Sequence, residues 1–207
     1  MAQYFQVHTQ NPQQRLMQQA AEIVRQGGLV AYPTDSSYAL GCHLDDKHAV
    51  DRIRKIRKLD RSHNFTLVAH DLKQISQFAK IDNEQYRLIK ALTPGPYTFI
   101  LAAKRLVPNR LLHPKKRTIG IRIPDNAIAH GLLAELGEPI MSSSLILPNA
   151  EFAMADPEEI RNKLEHDVDL VIDGGLGTLQ PSTVIDWHDE RLRVLREGAG
   201  DIAFLQG

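Results

Sequence analysis

The sequence predicts an α/β fold, close in character to α+β, in which a mixed parallel and antiparallel sheet is flanked by helices. Three observations lead there. Segments of helical periodicity alternate with short apolar runs along most of the chain. Two pairs of strand-like runs, 97–103 with 118–123 and 182–186 with 192–196, follow one another with no helical stretch between, an order that antiparallel pairing favours. Glycine and proline punctuate the short elements instead of gathering into a linker, so one domain over 1–207 is expected.

The elements follow in order. Residues 13–26 place Leu16, Ala20, Ile23 and Val24 at helical spacing and stop at Gly27-Gly28, after which 29–32 reads as a buried strand. Pro33-Thr34-Asp35-Ser36-Ser37 sets hydroxyls and a carboxylate directly behind that strand end, where α/β proteins tend to place ligands. The same residues also suit an Asx or Ser/Thr turn. A helix over 46–60 carries Val50, Ile53, Ile56 and Leu59 on one face and basic residues over the rest. A strand over 65–69 and helices over 71–78 and 83–92 come next, the last broken by Thr93-Pro94-Gly95-Pro96. In 118–123 the alternation of Ile119, Ile121 and Ile123 puts Arg122 on the opposite face. A helix over 127–136 stops at Gly137, 139–144 runs as a strand into Ser142-Ser143-Ser144, 157–164 is helical, and 170–173 is a strand ending at Gly174-Gly175.

Composition bounds the function. With 207 residues, 43% of them hydrophobic and 24% charged, the chain is long enough to bury roughly 70% of its unfolded surface, which excludes disorder, collagen and coiled coil. The lone Cys42 makes no internal disulfide and reads as a small core residue. No charged segment followed by an apolar one opens the sequence, so a cytoplasmic location is expected. The longest apolar runs, such as 145–147 and 170–172, fall far short of the roughly 20 residues of a membrane helix, so no membrane partner is expected.

Lys plus Arg and Asp plus Glu are 25 each, so bulk charge predicts no affinity for nucleic acid. The charges are unevenly placed. Arg52, Arg54, Lys55, Arg57, Lys58 and Arg61 face one acid, Asp60; Lys104, Arg105, Arg110, Lys115, Lys116 and Arg117 form a run with no acid; acids crowd the C-terminal third. The runs are read equally as a phosphate-binding face or as solvated surface. Phosphate-loop, dinucleotide, zinc-protease and nucleophile-elbow motifs are missing, and the nine histidines show no zinc spacing, so no metal site is expected. Ser142, Ser143 and Ser144 have no base adjacent in sequence, so they read as hydroxyl donors and not as nucleophiles.

Five segments carry a family likeness. They are Tyr32-Pro33-Thr34-Asp35-Ser36-Ser37-Tyr38-Ala39-Leu40-Gly41, Thr93-Pro94-Gly95-Pro96-Tyr97-Thr98, the T-I-G-I-R-I-P of 118–124, Asp173-Gly174-Gly175 followed by Pro181-Ser182-Thr183-Val184-Ile185-Asp186, and Leu195-Arg196-Glu197-Gly198-Ala199. In order and spacing they resemble the YrdC-like family, with the YciO branch closest in overall character. The resemblance implies a twisted mixed sheet flanked by helices with a basic concave face. It also implies the family's reaction, in which threonine, bicarbonate and ATP give threonylcarbamoyl-adenylate and pyrophosphate, for modification of tRNA adenosine next to the anticodon.

By the same resemblance Thr34 and Arg122 hold threonine with Ser182 in support, while Lys58, Asn64, Ser142, Ser144 and Arg196 surround ATP. Lys58, Arg61 and Ser144 are the expected catalytic set, and Mg2+ comes with ATP, with no tightly bound cofactor. Arginine suits this task because its planar fork pairs a carboxylate. Replacing Arg122 by Ala is expected to abolish threonine binding with little change in melting temperature.

Two segments depart from the family pattern. Aligned on Asn64-Phe65, its K-x-R becomes Lys58-Leu59-Asp60-Arg61, whereas a second register, Lys55-Ile56-Arg57, restores it three positions early. Its S-x-S-A-N becomes Ser142-Ser143-Ser144-Leu145-Ile146, an alkyl chain for an amide. Each departure predicts a loss on the order of 10² in synthesis if the missing group acts in the transition state, which leaves hydrolysis of the adenylate or binding without turnover as alternatives. The family's association with double-stranded RNA and tRNA implies a further use, with Arg52, Lys55, Arg57, Lys104, Arg105, Lys115, Lys116 and Arg117 tracking phosphates.

Overall fold

The computed structural model describes residues 1–60 and 63–205. Among them, ten strands form one mixed sheet: β1 (Gln3–Gln6), β2 (Val30–Tyr32), β3 (Ala39–His43), β4 (Thr66–Val68), β5 (Tyr97–Ala102), β6 (Thr118–Arg122), β7 (Ile140–Ser144), β8 (Leu170–Asp173), β9 (Thr183–Asp186) and β10 (Arg193–Arg196). Their order across the sheet is β1-β8-β2-β3-β7-β4-β6-β5-β9-β10. The pairs β1/β8, β2/β8, β4/β6 and β5/β9 are parallel and the others antiparallel, among them β5/β6 and β9/β10, the two successive strand runs of the sequence.

Six helices flank the sheet: α1 (Gln14–Arg25), α2 (Lys47–Arg57), α3 (Leu72–Phe78), α4 (Asn83–Leu92), α5 (Ala127–Leu136) and α6 (Pro157–Leu164). Their ends are written in local chemistry. Asp46, Asp71, Asp82, Asn126 and Asp156 cap backbone N–H groups at five N-termini, and Asp82 with Gln85 forms a capping box. Gly27 and Gly137 take the left-handed backbone that stops α1 and α5. No helix among the described residues is long and apolar enough to cross a membrane.

Strand alternation divides the core into two layers. In β8, Leu170 and Ile172 join Met17, Val24, Leu132 and Leu133 beneath α1 and α5, while Val171 faces the layer of Val50, Ile53, Ile75, Ile89 and Ile160 from the other four helices. Cys42 is fully buried in that second layer, and burial pushes its thiol up to about 12, which leaves it an inert core residue. The α1/α5 layer reaches only as far as Val68 and Ile140, so half of that sheet face has no apolar cover among the described residues.

Two strands are absent from the sequence expectations. β1 is half-buried, with Tyr4 and Phe5 between two glutamines, and is held by parallel pairing to β8. β3 follows the hydroxyl loop with only six residues between it and β2, so no separate helix or long turn marks it. The 46–60 helix ends earlier, at Arg57, because Lys58 is left-handed (φ 49°) and Leu59 N–H donates back to the Arg54 carbonyl at 3.0 Å.

Candidate functional site

On the uncovered half of the sheet, alternate positions of adjacent strands mix polar, small and aliphatic side chains. Thr66 and Val68 of β4, Thr98 and Ile100 of β5, Gly120 and Arg122 of β6, Ser142 and Ser144 of β7, and Val184 of β9 line a cavity of ≈ 270 Å³. A Cβ at Gly120 would sit 2.6 Å from Thr66 Oγ1 and 3.0 Å from the Phe65 carbonyl oxygen, so the glycine keeps the floor open.

Three arginines, Arg57, Arg122 and Arg196, line this cavity, and among its described lining residues there is no carboxylate. Arg122 is 6% exposed. Its Nη2 donates to Asp35, to Ser36 Oγ at 2.8 Å and to Thr34 Oγ1 at 3.4 Å, while its buried Nε has no partner. A charged donor left so costs on the order of 1–3 kcal/mol unless an acceptor arrives. Thr34 Oγ1 also accepts from Ser36 N–H at 3.2 Å, so the 33–37 loop is a Ser/Thr turn and a cavity wall at once.

Arg196 comes from β10 and donates through Nε and Nη2 to the Ser182 carbonyl at 3.0 and 2.8 Å. Ser182 Oγ in turn meets Thr98 Oγ1 at 2.8 Å. Arg57 donates from Nε to the Ile146 carbonyl at 3.1 Å and from Nη1 to Ser143 Oγ. Burial, then the charge of Arg196, lowers Arg57 to about 10, and Arg196 is lowered by burial and then by Arg122. Arg196 is thus felt by Arg57, and Arg122 by Arg196, across the cavity, while Arg122 is itself paired with Asp35.

Behind Arg57 lies His63, whose Nε2 is 3.3 Å from Ser143 Oγ and whose ring meets Phe65 edge-on at 5.4 Å. Burial and then Arg57 hold its pKa at about 4. Opposite, Tyr32 Oη meets Ser142 Oγ at 2.8 Å, and burial pushes the phenol up to about 12.

Of the residues singled out in sequence, Thr34, Asn64, Arg122, Ser142, Ser144, Ser182 and Arg196 come together on the cavity. Lys58 does not: it is the exposed left-handed residue after α2, and Arg57 reaches the cavity in its place. Arg61 lies outside the described residues. Arg57, placed by the sequence among the exposed basic residues, instead lines the cavity, as the register Lys55-Ile56-Arg57 would have it. Ser143 was read as a hydroxyl donor, but its meeting with His63 had no local signal, the two being 80 positions apart.

The other basic residues have separate surroundings. Arg52 pairs with Asp169 at 2.7 Å and with the Asp167 carbonyl, Lys104 Nζ donates to the Ser76 carbonyl, Lys116 Nζ lies 3.3 Å from Asp186, and Arg117 donates to Asn109. Lys55, Arg105 and Lys115 are exposed. Among the described residues no group of three or more His, Cys, Asp or Glu is placed to hold a metal ion.

The fold is a mixed α/β sheet whose open half carries a cavity lined by three arginines. The chain belongs to the Sua5/YciO/YrdC family, described as telomere recombination, whose model matches residues 22–198. It is 56% identical over 204 residues to a Haemophilus influenzae protein, covering 98% of this chain and 99% of that one. To Escherichia coli YciO it is 54% identical over 98% of both chains, and the YciO crystal structure superposes with a TM-score of 0.95. A threonylcarbamoyl-AMP synthase of Vibrio vulnificus is 28% identical over 88% of this chain and 98% of its own. The crystal structure of Pyrococcus abyssi Sua5 complexed with L-threonine matches 98% of this chain and 59% of its own, at 26% identity and a TM-score of 0.90.

Proposed function

We propose that this protein binds threonylcarbamoyl-adenylate, or its precursors ATP and threonine, and acts on the bond between the carbamoyl group and the phosphate, by forming it from threonine, bicarbonate and ATP or by hydrolysing it. The observation that carries this reading is the cavity with three arginines and no carboxylate among its described lining residues. Its relatives add support: one is named a threonylcarbamoyl-AMP synthase, and Sua5 was crystallised with L-threonine.

In this reading Arg122, with Thr34 beside it, takes the amino-acid carboxylate from the cavity wall. Arg57 and Arg196 flank the phosphate and offset the charge that grows on it during adenylate formation. The described lining offers a magnesium ion no carboxylate, and its guanidinium groups cannot coordinate a cation, so a magnesium ion carried in by the nucleotide would be held by phosphate oxygens and water and not by this protein's own ligands. Ile146 lines the cavity at the family's asparagine position and offers its backbone carbonyl to Arg57, so the amide is not replaced by another side chain there.

The test is incubation of the protein with threonine, bicarbonate, magnesium and ATP, following threonylcarbamoyl-adenylate by mass spectrometry, beside a sample supplied with the adenylate. Product formation or accelerated loss of the added adenylate supports the reading and sets its direction. Inertness in both, with no measurable binding, removes it.

A second reading, double-stranded RNA or tRNA on the exposed basic surface, is favoured by one contact. Arg54 Nη2 donates to the Arg110 carbonyl at 2.7 Å, which sets the α2 run beside the 104–117 run. Retention on duplex RNA at low salt, falling steeply as salt rises, tests it.

A further inference from the structure

We infer that Ser143 is a nucleophile, with His63 as its base, that accepts the carbamoyl group of an activated carbamate held in the arginine cavity. The choice of substrate rests on the function proposed above; the reactivity of Ser143 does not.

Ser143, His63 and Arg57 all line the cavity. Ser143 Oγ accepts a hydrogen bond from Arg57 Nη1 and lies 3.3 Å from His63 Nε2. A guanidinium has no acceptor, so the serine proton is left for His63 Nε2, and the imidazole must carry its own hydrogen on Nδ1. Around this ring, Arg57 and Arg54 of α2 and Arg196 of β10 disfavour its charged form and Asp60 favours it. Burial dominates, so the imidazole is neutral near pH 7 and is a weak acceptor of the serine proton. Arg57 favours the oxyanion that forms as the proton leaves. Ser142 is differently placed, its hydroxyl shared between Tyr32 Oη and the Leu40 carbonyl.

The step balances as follows. The Ser143 proton passes to His63 Nε2 while Oγ attacks the carbamoyl carbon of threonylcarbamoyl-adenylate. The bond from that carbon to the phosphate oxygen breaks, and AMP leaves with the electron pair. Water then attacks the serine carbamate, His63 returns its proton to Oγ, and N-carboxythreonine is released, which loses carbon dioxide to give threonine. His63 is a weak base, and the reaction is matched to it because a phosphate monoester is a good leaving group, so little assistance is needed.

Two probes separate this inference from the function it builds on. The first is the adenylate: the protein is mixed with it, quenched in acid, and mapped by peptide mass spectrometry. A carbamoyl adduct on the peptide holding Ser143 is expected. Ser143→Ala should bind the adenylate within a few-fold of the parent yet lose the adduct and at least ~10²-fold of the turnover, and Ser143→Cys should regain an adduct as the thiocarbamate. Turnover without an adduct, at an equal rate in Ser143→Ala, overturns the inference and leaves the proposed function standing.

The second probe is 4-nitrophenyl methylcarbamate, which needs no adenylate site. Stoichiometric nitrophenolate release with Ser143 labelled, slowed ~10²-fold in His63→Gln, supports the nucleophile even if the protein has no affinity for the adenylate. With a neutral His63 as base the labelling rate should hold from pH 8 down to about 5 instead of falling near 6.5. Absence of label on Ser143 from both probes overturns the inference.

Discussion

Removal of the Arg122 guanidinium reads on both the stability and the ligand of the cavity. The side chains of Arg122 and Asp35 are 7% and 9% exposed, so Arg122→Ala leaves a nearly buried carboxylate without its cation. Breaking a buried pair from one side costs ~3–5 kcal/mol. Asp35 Oδ2 keeps the Asp125 N–H at 3.0 Å, which places the cost at the lower end, about 3 kcal/mol. For a chain of this size that is a fall of about 6–12 °C in melting temperature, so the small change expected from the sequence gives way to a measurable one. Arg122→Ala with Asp35→Ala removes the orphan charge and should recover about 1–2 kcal/mol in urea denaturation. Titration calorimetry should show threonine affinity reduced on the order of 10²-fold in both variants, the worth of a charge-assisted carboxylate contact. A single variant melting within 2 °C (roughly 1 kcal/mol) of the parent, or a double variant no more stable than the single, would refute the buried ion pair. Undiminished threonine affinity would refute the carboxylate assignment.

Three further outcomes follow from the geometry. Gly120→Ala drives a methyl group against Thr66 Oγ1 and the Phe65 carbonyl, and calorimetry should show about 1–3 kcal/mol of lost stability together with loss of adenylate binding. His63 has a folded pKa near 4 against an ordinary 6.5, so the unfolded chain takes the proton first. Its contribution is whole above pH 6.5 and is lost as pH falls toward 4, on the order of 2 kcal/mol once its partial exposure is allowed for; denaturation at stepped pH should show that slope, and His63→Gln should flatten it. Charge reversal at Lys55, Arg105 and Lys115 should abolish retention on duplex RNA and lower the salt dependence by about 1 per phosphate contact, without touching adenylate binding.

Local chemistry carried most of the fold into view. The alternation in 118–123 places Arg122 on the cavity side of β6, and the glycine signals at 27 and 137 mark the helix ends they form. The sheet order was not legible, because β8 enters between β1 and β2, and β7 between β3 and β4, through pairings far apart in sequence. The site divides in the same way. Thr34, Arg122 and Ser182 sit in motifs and were found, whereas the exchange of Lys58 for Arg57 depends on one left-handed residue at the end of α2. The meeting of His63 with Ser143 has no local signature, since it arises only when β4 lies against β7.

Arg196 is delivered by the outermost strand on one side of the sheet. β10 has a neighbour on one flank only, and its register with β9 slips between Val194 and Arg196. Amide protons of β10 should therefore exchange with solvent sooner than those of β4 or β6, which are laddered on both sides. An anion drawn onto Arg196 works against that fraying, so occupancy of the cavity should be written in slowed deuterium uptake along 193–196, and the tightening of that edge is part of the free energy of binding.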